Sequence, residues 1–111
     1  MFQISSYNYL TGKIDWVFES LNRSVGQYKR SYRYVKIGIT NNPERRKNEH
    51  SQSNVKWEKM IVKYSTTSVK YINELEKMLI DQHWEFIENE VAGGGGPNGE
   101  GPYYLYILLK W

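Results

Sequence analysis

Three stretches of the chain carry the period-two apolar pattern of strands. In Tyr34 to Thr40, Val35, Ile37 and Ile39 face one way, while Tyr34, Lys36, Gly38 and Thr40 face the other. WEKMIVKY, from Trp57 to Tyr64, predicts a second strand. YYLYILL near the end predicts a third, with Leu105, Ile107 and Leu109 on one side and Tyr104, Tyr106 and Leu108 on the other. Between the first two, Asn42-Pro43 opens a helix, since Asn caps well and Pro suits the first helical position. Ser65 to Ser68 ends the second strand and caps a long helix from about Val69 to Glu88. The first ten residues read as irregular or a short strand. Asp15 looks like the N-cap of a short helix that packs with Trp16, Phe18 and Leu21. The polar, basic segment from Arg23 to Arg33 reads as a loop. Few strands with two or three helices predict an α+β domain, a small sheet with helices packed on it.

The long helix has a polar group out of place. At 100° per residue, Ile72, Leu75, Phe86, Leu79, Val69, Ile87 and Ile80 fall within an arc of about 140°. Glu76 and His83 lie inside that arc, whereas Glu74, Lys77, Asp81 and Glu85 fall where water reaches them. An ionised carboxylate among apolar neighbours costs several kcal/mol unless it is compensated, by a divalent cation or an arginine for example. Exposure at the helix end is the plain alternative for Glu76, and a satisfied, partly buried residue is the plain alternative for His83.

The short helix after Pro43 raises the second question. Arg46 and His50 are four apart and share a face. Arg45 and Glu49 share another and can pair, which accounts for Arg45 and leaves Arg46 without an explanation. The plain alternative is a basic surface helix. The basic segment before the first strand, with Arg30 among its cations, is either a phosphate-contacting loop or a solvated one.

Composition bounds these readings. A chain of 111 residues is expected to form one domain, residues 1–111. It has no cysteine, so disulfides and thiolate metal sites are excluded. The sequence shows no membrane-helix run and no signal-peptide pattern, which leads to the expectation of a soluble, cytoplasmic protein. A formal charge of +3 permits a nucleic-acid partner without demanding one, while ten tyrosines and four tryptophans suit strands or base stacking. GGGGPNGEGP, residues 93–102, can be neither helix nor regular strand interior and reads as a flexible linker.

A carboxylate, an arginine, a histidine and tyrosines suit phosphodiester hydrolysis assisted by Mg²⁺. They do not suit acyl transfer or structural zinc. The glycine run is no phosphate-binding loop, because no Gly-Lys-Ser/Thr follows it.

KIGITNNPERRKNEH resembles the second half of the GIY-YIG nuclease signature, with Lys36-Ile37-Gly38, Thr40, Arg46 and His50 in the motif positions. NELEKMLI is similar to that family's metal-binding helix and puts its glutamate at Glu76. IENEVAGGGG resembles a frequent ending with a late asparagine, here Asn89. The resemblance covers roughly residues 34–94. Lys36 replaces the second motif tyrosine. The expected first strand is missing before Tyr34, and YYLYILL resembles it, with Tyr106 as motif tyrosine.

The resemblance implies a three-stranded antiparallel sheet with that strand central. It leads to the reading of a circular permutation in which residues 103–111 supply the strand through the glycine linker. Ten such residues reach about 17 Å, from ~5–6 Å times the square root of length. The alternative is ordinary order with Gly26-Gln27-Tyr28 as a degenerate first motif.

The resemblance further implies one Mg²⁺ or Mn²⁺ at Glu76, a tyrosine that takes a proton from water, and an arginine on the phosphate. Tyr106, Arg46, His50 and Lys36 are thus the expected catalytic set, and Lys36, Arg46, Asn89 and Arg30 the expected substrate contacts. Lys36 is expected to lower the Tyr106 pKa or to touch phosphate, with a solvated strand lysine as the alternative. The expected function is a metal-dependent DNA endonuclease of phage or mobile-element type, weakly binding or reliant on a homodimer for specificity. The alternatives are a binding protein that has lost catalysis, such as an inhibitor of a host defence, and an interaction domain built on exposed aromatics.

Overall fold

The computed structural model describes residues 3–52, 55–87, 89 and 99–111. Its elements in chain order are β1 (Gln3–Ser6), α1 (Ile14–Ser31), β2 (Tyr34–Thr40), α2 (Pro43–Ser51), β3 (Lys59–Thr66), α3 (Val69–His83), a 3₁₀ turn (Trp84–Phe86) and β4 (Tyr103–Lys110). The α+β class is as the sequence predicts. Residues 93–98 of the glycine-rich run lie outside the described residues.

The sheet runs β1-β3-β4-β2. The C-terminal strand therefore lies between β2 and β3 and is antiparallel to both. Its register sets Gly38 opposite Tyr106 and Lys36 opposite Leu108 on β2, and Val62 opposite Tyr106 on β3. β4 is apolar at nearly every position because both of its faces are covered. Leu105, Ile107 and Leu109 join Val35, Ile37, Ile72, Leu75, Leu79, Val17, Leu21 and Val25 under α1 and α3. On the opposite face Tyr106 and Leu108 pack with Trp57, Met60 and Val62.

Several expectations are corrected. Among the described residues the sheet has four strands and is mixed, because β1 adds in parallel to β3 through Gln3↔Lys59 and Ile4↔Met60. A four-residue strand with one apolar residue gives little period-two signal. The segment from Arg23 to Ser31 is helix and not loop: Val17, Leu21 and Val25 recur every four residues and are fully buried, so the core-facing stripe runs on beneath the basic surface. Lys13 occupies the N-cap without a side-chain cap, and Asp15 sits in the first turn. Tyr28 therefore lies on a helix and cannot be a strand tyrosine.

Trp57 leads into β3, which begins at Lys59 and runs on through Ser65 and Thr66. α3 stops at His83, after which Ile87 turns extended and is buried. Ile72, Leu75, Leu79, Ile80, Glu76 and His83 are buried as the helical projection predicts, but Val69, in the first turn, is half-exposed. The side chain of Phe86 lies outside the description. Asn42 and Ser68 cap α2 and α3 as expected, accepting from the N–H groups of Arg45 and Tyr71.

Candidate functional site

β2 turns into α2 within two residues. Thr40 Oγ1 accepts the Asn42 N–H at 3.0 Å, and the Asn42 side chain caps the helix, with Pro43 at its start. This local chemistry lays α2 beside the sheet face that carries Tyr106. His50, in the last turn, meets that tyrosine: His50 Nε2 is 2.8 Å from Tyr106 Oη. Both side chains are buried. Arg46, one turn earlier, is close enough for its guanidinium charge to act on the Tyr106 hydroxyl. An imidazole and a phenol can each donate or accept, so this bond can carry a proton in either direction.

Gly38 makes room for this arrangement. A Cβ at that position would come within 2.3 Å of the Tyr106 Cζ and Oη. The phenol thus crosses the β2 backbone at the one strand residue that has no side chain. Gly38 and Tyr106 are register partners on the same face, and Lys36 stands two residues away on that face.

The charges are unevenly shared. Burial, then Arg46, then Lys36, push the His50 pKa down to about 4, so the ring is neutral at pH 7. Tyr106 is raised above its ordinary value, chiefly by burial and also by Glu76 and Glu49, and Arg46 pulls the other way. Arg46 is the leading cation acting on the phenol, and Lys36 acts on the imidazole.

The expectation for Arg46 is also corrected. It does have a carboxylate partner, since Nη1 lies 2.6 Å from Glu49 Oε1, closer than the 3.7 Å contact of Arg45 with the same side chain. Positions i and i+3 are neighbours on a helix as much as i and i+4.

Glu76 is buried on α3, and α3 packs against β2. Its carboxylate is close enough for its charge to raise Tyr106. One turn earlier Asn73 Oδ1 is a buried acceptor without a hydrogen-bond partner, a residue the sequence reading passed over. Its i−3 spacing from Glu76 was the available signal. Among the described residues, no three His, Cys, Asp or Glu side chains gather as a ready metal cage. Glu76 and the unpartnered Asn73 Oδ1 are the oxygen donors on this stretch of α3 that could hold a hard cation.

The remaining expected residues lie elsewhere. Asn89 seals the outer edge of β2: the Ile37 N–H donates to Asn89 Oδ1 (3.0 Å) and Asn89 Nδ2 donates to Ile37 O (2.7 Å). Its amide thus replaces a neighbouring strand. Arg30 is exposed on α1, across the sheet from Tyr106. His83 joins the helices, receiving a hydrogen bond from Lys29 Nζ at Nδ1 (2.7 Å) and facing Asn22 Oδ1 through Nε2 (2.6 Å).

No helix among the described residues is long and apolar enough to cross a membrane. No curated protein and no solved structure matches the chain. A family model does match, over residues 19–91, a span that runs from within α1 past α3 and stops before β4 and Tyr106. The matched span holds Gly38, Arg46, His50 and Glu76, and the chain belongs to the T5orf172 domain family, a domain found in phage and bacterial nuclease-like proteins.

Proposed function

We propose that this protein is a metal-dependent endonuclease of the GIY-YIG type acting on DNA. The observation that carries the reading is the Tyr106 hydroxyl bonded to a neutral His50, with a cationic Arg46 acting on it, above Gly38. Family membership is compatible with a nuclease-type or nucleic-acid-binding role. The central, antiparallel place of β4 supports reading the chain as a permuted GIY-YIG domain, with the first motif strand at its C-terminus.

A phenolate is hard to form here, because burial raises Tyr106. The hydroxyl works instead as a relay. It takes a proton from an attacking water as its own proton passes to His50 Nε2, so no full negative charge settles on the phenol. Arg46 stays charged throughout and turns from Tyr106 and Glu49 toward the phosphate as that group gains charge. A bound phosphate offsets the cations that depress His50 and so strengthens it as an acceptor. Glu76, with Asn73 beside it, would hold a Mg²⁺ or Mn²⁺ ion. When bound, that ion supplies positive charge to the scissile phosphate.

The test is cleavage of plasmid and single-stranded DNA with Mg²⁺ or Mn²⁺. Glu76→Ala and Tyr106→Phe are each expected to lower cleavage at least ~100-fold with the fold retained. Retained cleavage in Glu76→Ala overturns the metal assignment. The deep burial of Tyr106 favours one other reading, a binding protein of the same fold without catalysis. A folded wild type that never cleaves selects that second reading.

A further inference from the structure

The end of β4, the end of α1 and the start of β3 meet at one corner of the molecule, away from the residues described above. Trp111 stacks on Tyr32 there, with ring centroids 4.3 Å apart and planes at 26°. Tyr28 meets Tyr32 edge-on at 6.3 Å. Trp111 is 60% exposed, the most open large apolar side chain among the described residues. Its position is fixed by its backbone N–H, which donates to Glu58 Oε1 at 2.8 Å. The indole thus lies against Tyr32 and is largely uncovered.

The surroundings are cationic. Lys59 Nζ donates to Tyr32 Oη at 2.8 Å and lies 5.4 and 5.9 Å from the Tyr32 and Trp111 centroids. Lys63 lies 5.9 Å from the Tyr28 ring, and Arg33 lies 5.6 Å from Tyr34, the register partner of Lys110. Arg30 and Arg33 are exposed. The segments that build the corner, 28–34, 58–63 and 103–111, contain one acidic residue, Glu58, which is occupied with the Trp111 backbone.

An open indole with a lysine beside it, in a corner rich in cations, suits a ligand with a flat apolar face and regularly spaced anions. Single-stranded nucleic acid has both. A duplex has the anions, but its base faces are stacked on each other, so the indole gains nothing from it. A protein partner would gain from the indole and not from so many cations. We propose that this corner is a stacking platform for a base of single-stranded nucleic acid, with Arg30, Arg33 and Lys110 contacting the flanking phosphates. The inference rests on the nucleic-acid half of the proposed function and not on cleavage.

The experiment is fluorescence anisotropy with a fluorescein-labelled 12-nucleotide oligothymidine and the matching 12-bp duplex, without metal. Trp111→Ala is expected to weaken oligothymidine binding on the order of tenfold and to leave duplex binding unchanged. Trp111→Phe is expected to restore most of the loss, because a phenyl ring still stacks. Arg33→Gln is expected to weaken both ligands and to flatten the salt dependence by about one unit of slope. Equal affinity of Trp111→Ala and wild type for oligothymidine overturns the platform, even if the protein cleaves DNA. Loss of binding to both ligands alike in that variant also overturns it. A wild type that binds no oligothymidine removes the platform and leaves the corner to a protein partner. Trp111-dependent binding by a protein that never cleaves keeps the platform and rejects the nuclease.

Discussion

His50 and His83 share a description and differ in company. Each is a buried histidine whose pKa burial and neighbouring cations hold near 4. His50 faces a phenol hydroxyl on which a charged arginine also acts, and a strand lysine is close enough to act on the ring. Cations and proton carriers of this kind are what a phosphate and a water engage. His83 bonds Lys29 and Asn22 through its two ring nitrogens, so both are spent on tying α1 to α3. Burial and a depressed pKa thus mark both places equally. What separates a candidate reaction site from a clamp is the chemistry of the groups around each ring.

The largest test of that contrast is a pair of single substitutions. His50→Ala is expected to lower metal-dependent cleavage by about 10²- to 10⁴-fold, the usual worth of a positioned proton acceptor. His83→Ala is expected to leave cleavage within a few-fold of wild type. It should instead lower unfolding stability by about 1–3 kcal/mol, because it strips partners from groups between two packed helices. Urea denaturation and plasmid nicking on the same samples measure both. Equal losses of activity in the two variants would break the comparison and make His83 part of the working site.

A smaller effect appears in pH. The folded value near 4 lies below the ordinary 6.5, so between these values the unfolded chain binds a proton at each histidine and the native one does not. Stability is complete above pH 6.5, falls as the pH drops through that window, and levels off below about 4. His83→Gln is expected to reduce the slope of urea stability against pH in this window by at most ~1.4 kcal/mol per unit, one proton's worth. Noncleavable single-stranded DNA sharpens the contrast. Its phosphates offset Arg46 and Lys36, so the His50 ring titration followed by NMR should move upward while that of His83 stays put. Movement of both, or of neither, would contradict the assignment of His50 to the phosphate site.

The sequence made parts of this contrast legible and hid others. The turn from β2 into α2 depends on nearest-neighbour chemistry, so Asn42-Pro43 and the strand alternation predict it closely. Helical projection places both Glu76 and His83 against the core, and both are buried. Projection is silent on what the core side contains. It therefore could not foresee that Lys29 and Asn22, in a segment read mostly as loop, meet His83. A basic surface masked the Val17, Leu21, Val25 stripe of α1, and with it the clamp. The link between Gly38 and Tyr106 depends on register between strands 68 residues apart in the chain, which no local pattern specifies. The motif resemblance reached that tyrosine; the spacing of apolar residues did not. On α2, a rule of four-residue spacing assigned Glu49 to Arg45 and overlooked the closer Arg46.

That last point yields the smallest predicted effect and a sharp control on the site. Arg45 is about half exposed, 3.7 Å from Glu49, and donates to Asn41 Oδ1 at 3.1 Å. An exposed pair of this kind is screened by water and salt, so Arg45→Ala should give no resolvable change in melting temperature. It should also leave cleavage unchanged, since Arg45 points to the loop before α2 and not to Tyr106. Arg46→Ala removes the same unit of charge from the same helix turn, and with it the cation that acts on the Tyr106 hydroxyl. If the site depends on that one guanidinium, Arg46→Ala alone loses cleavage, and added salt does not make the two variants converge. If α2 serves only as a positive surface, the two variants lose activity alike, and raising the ionic strength erases what remains of the difference between them.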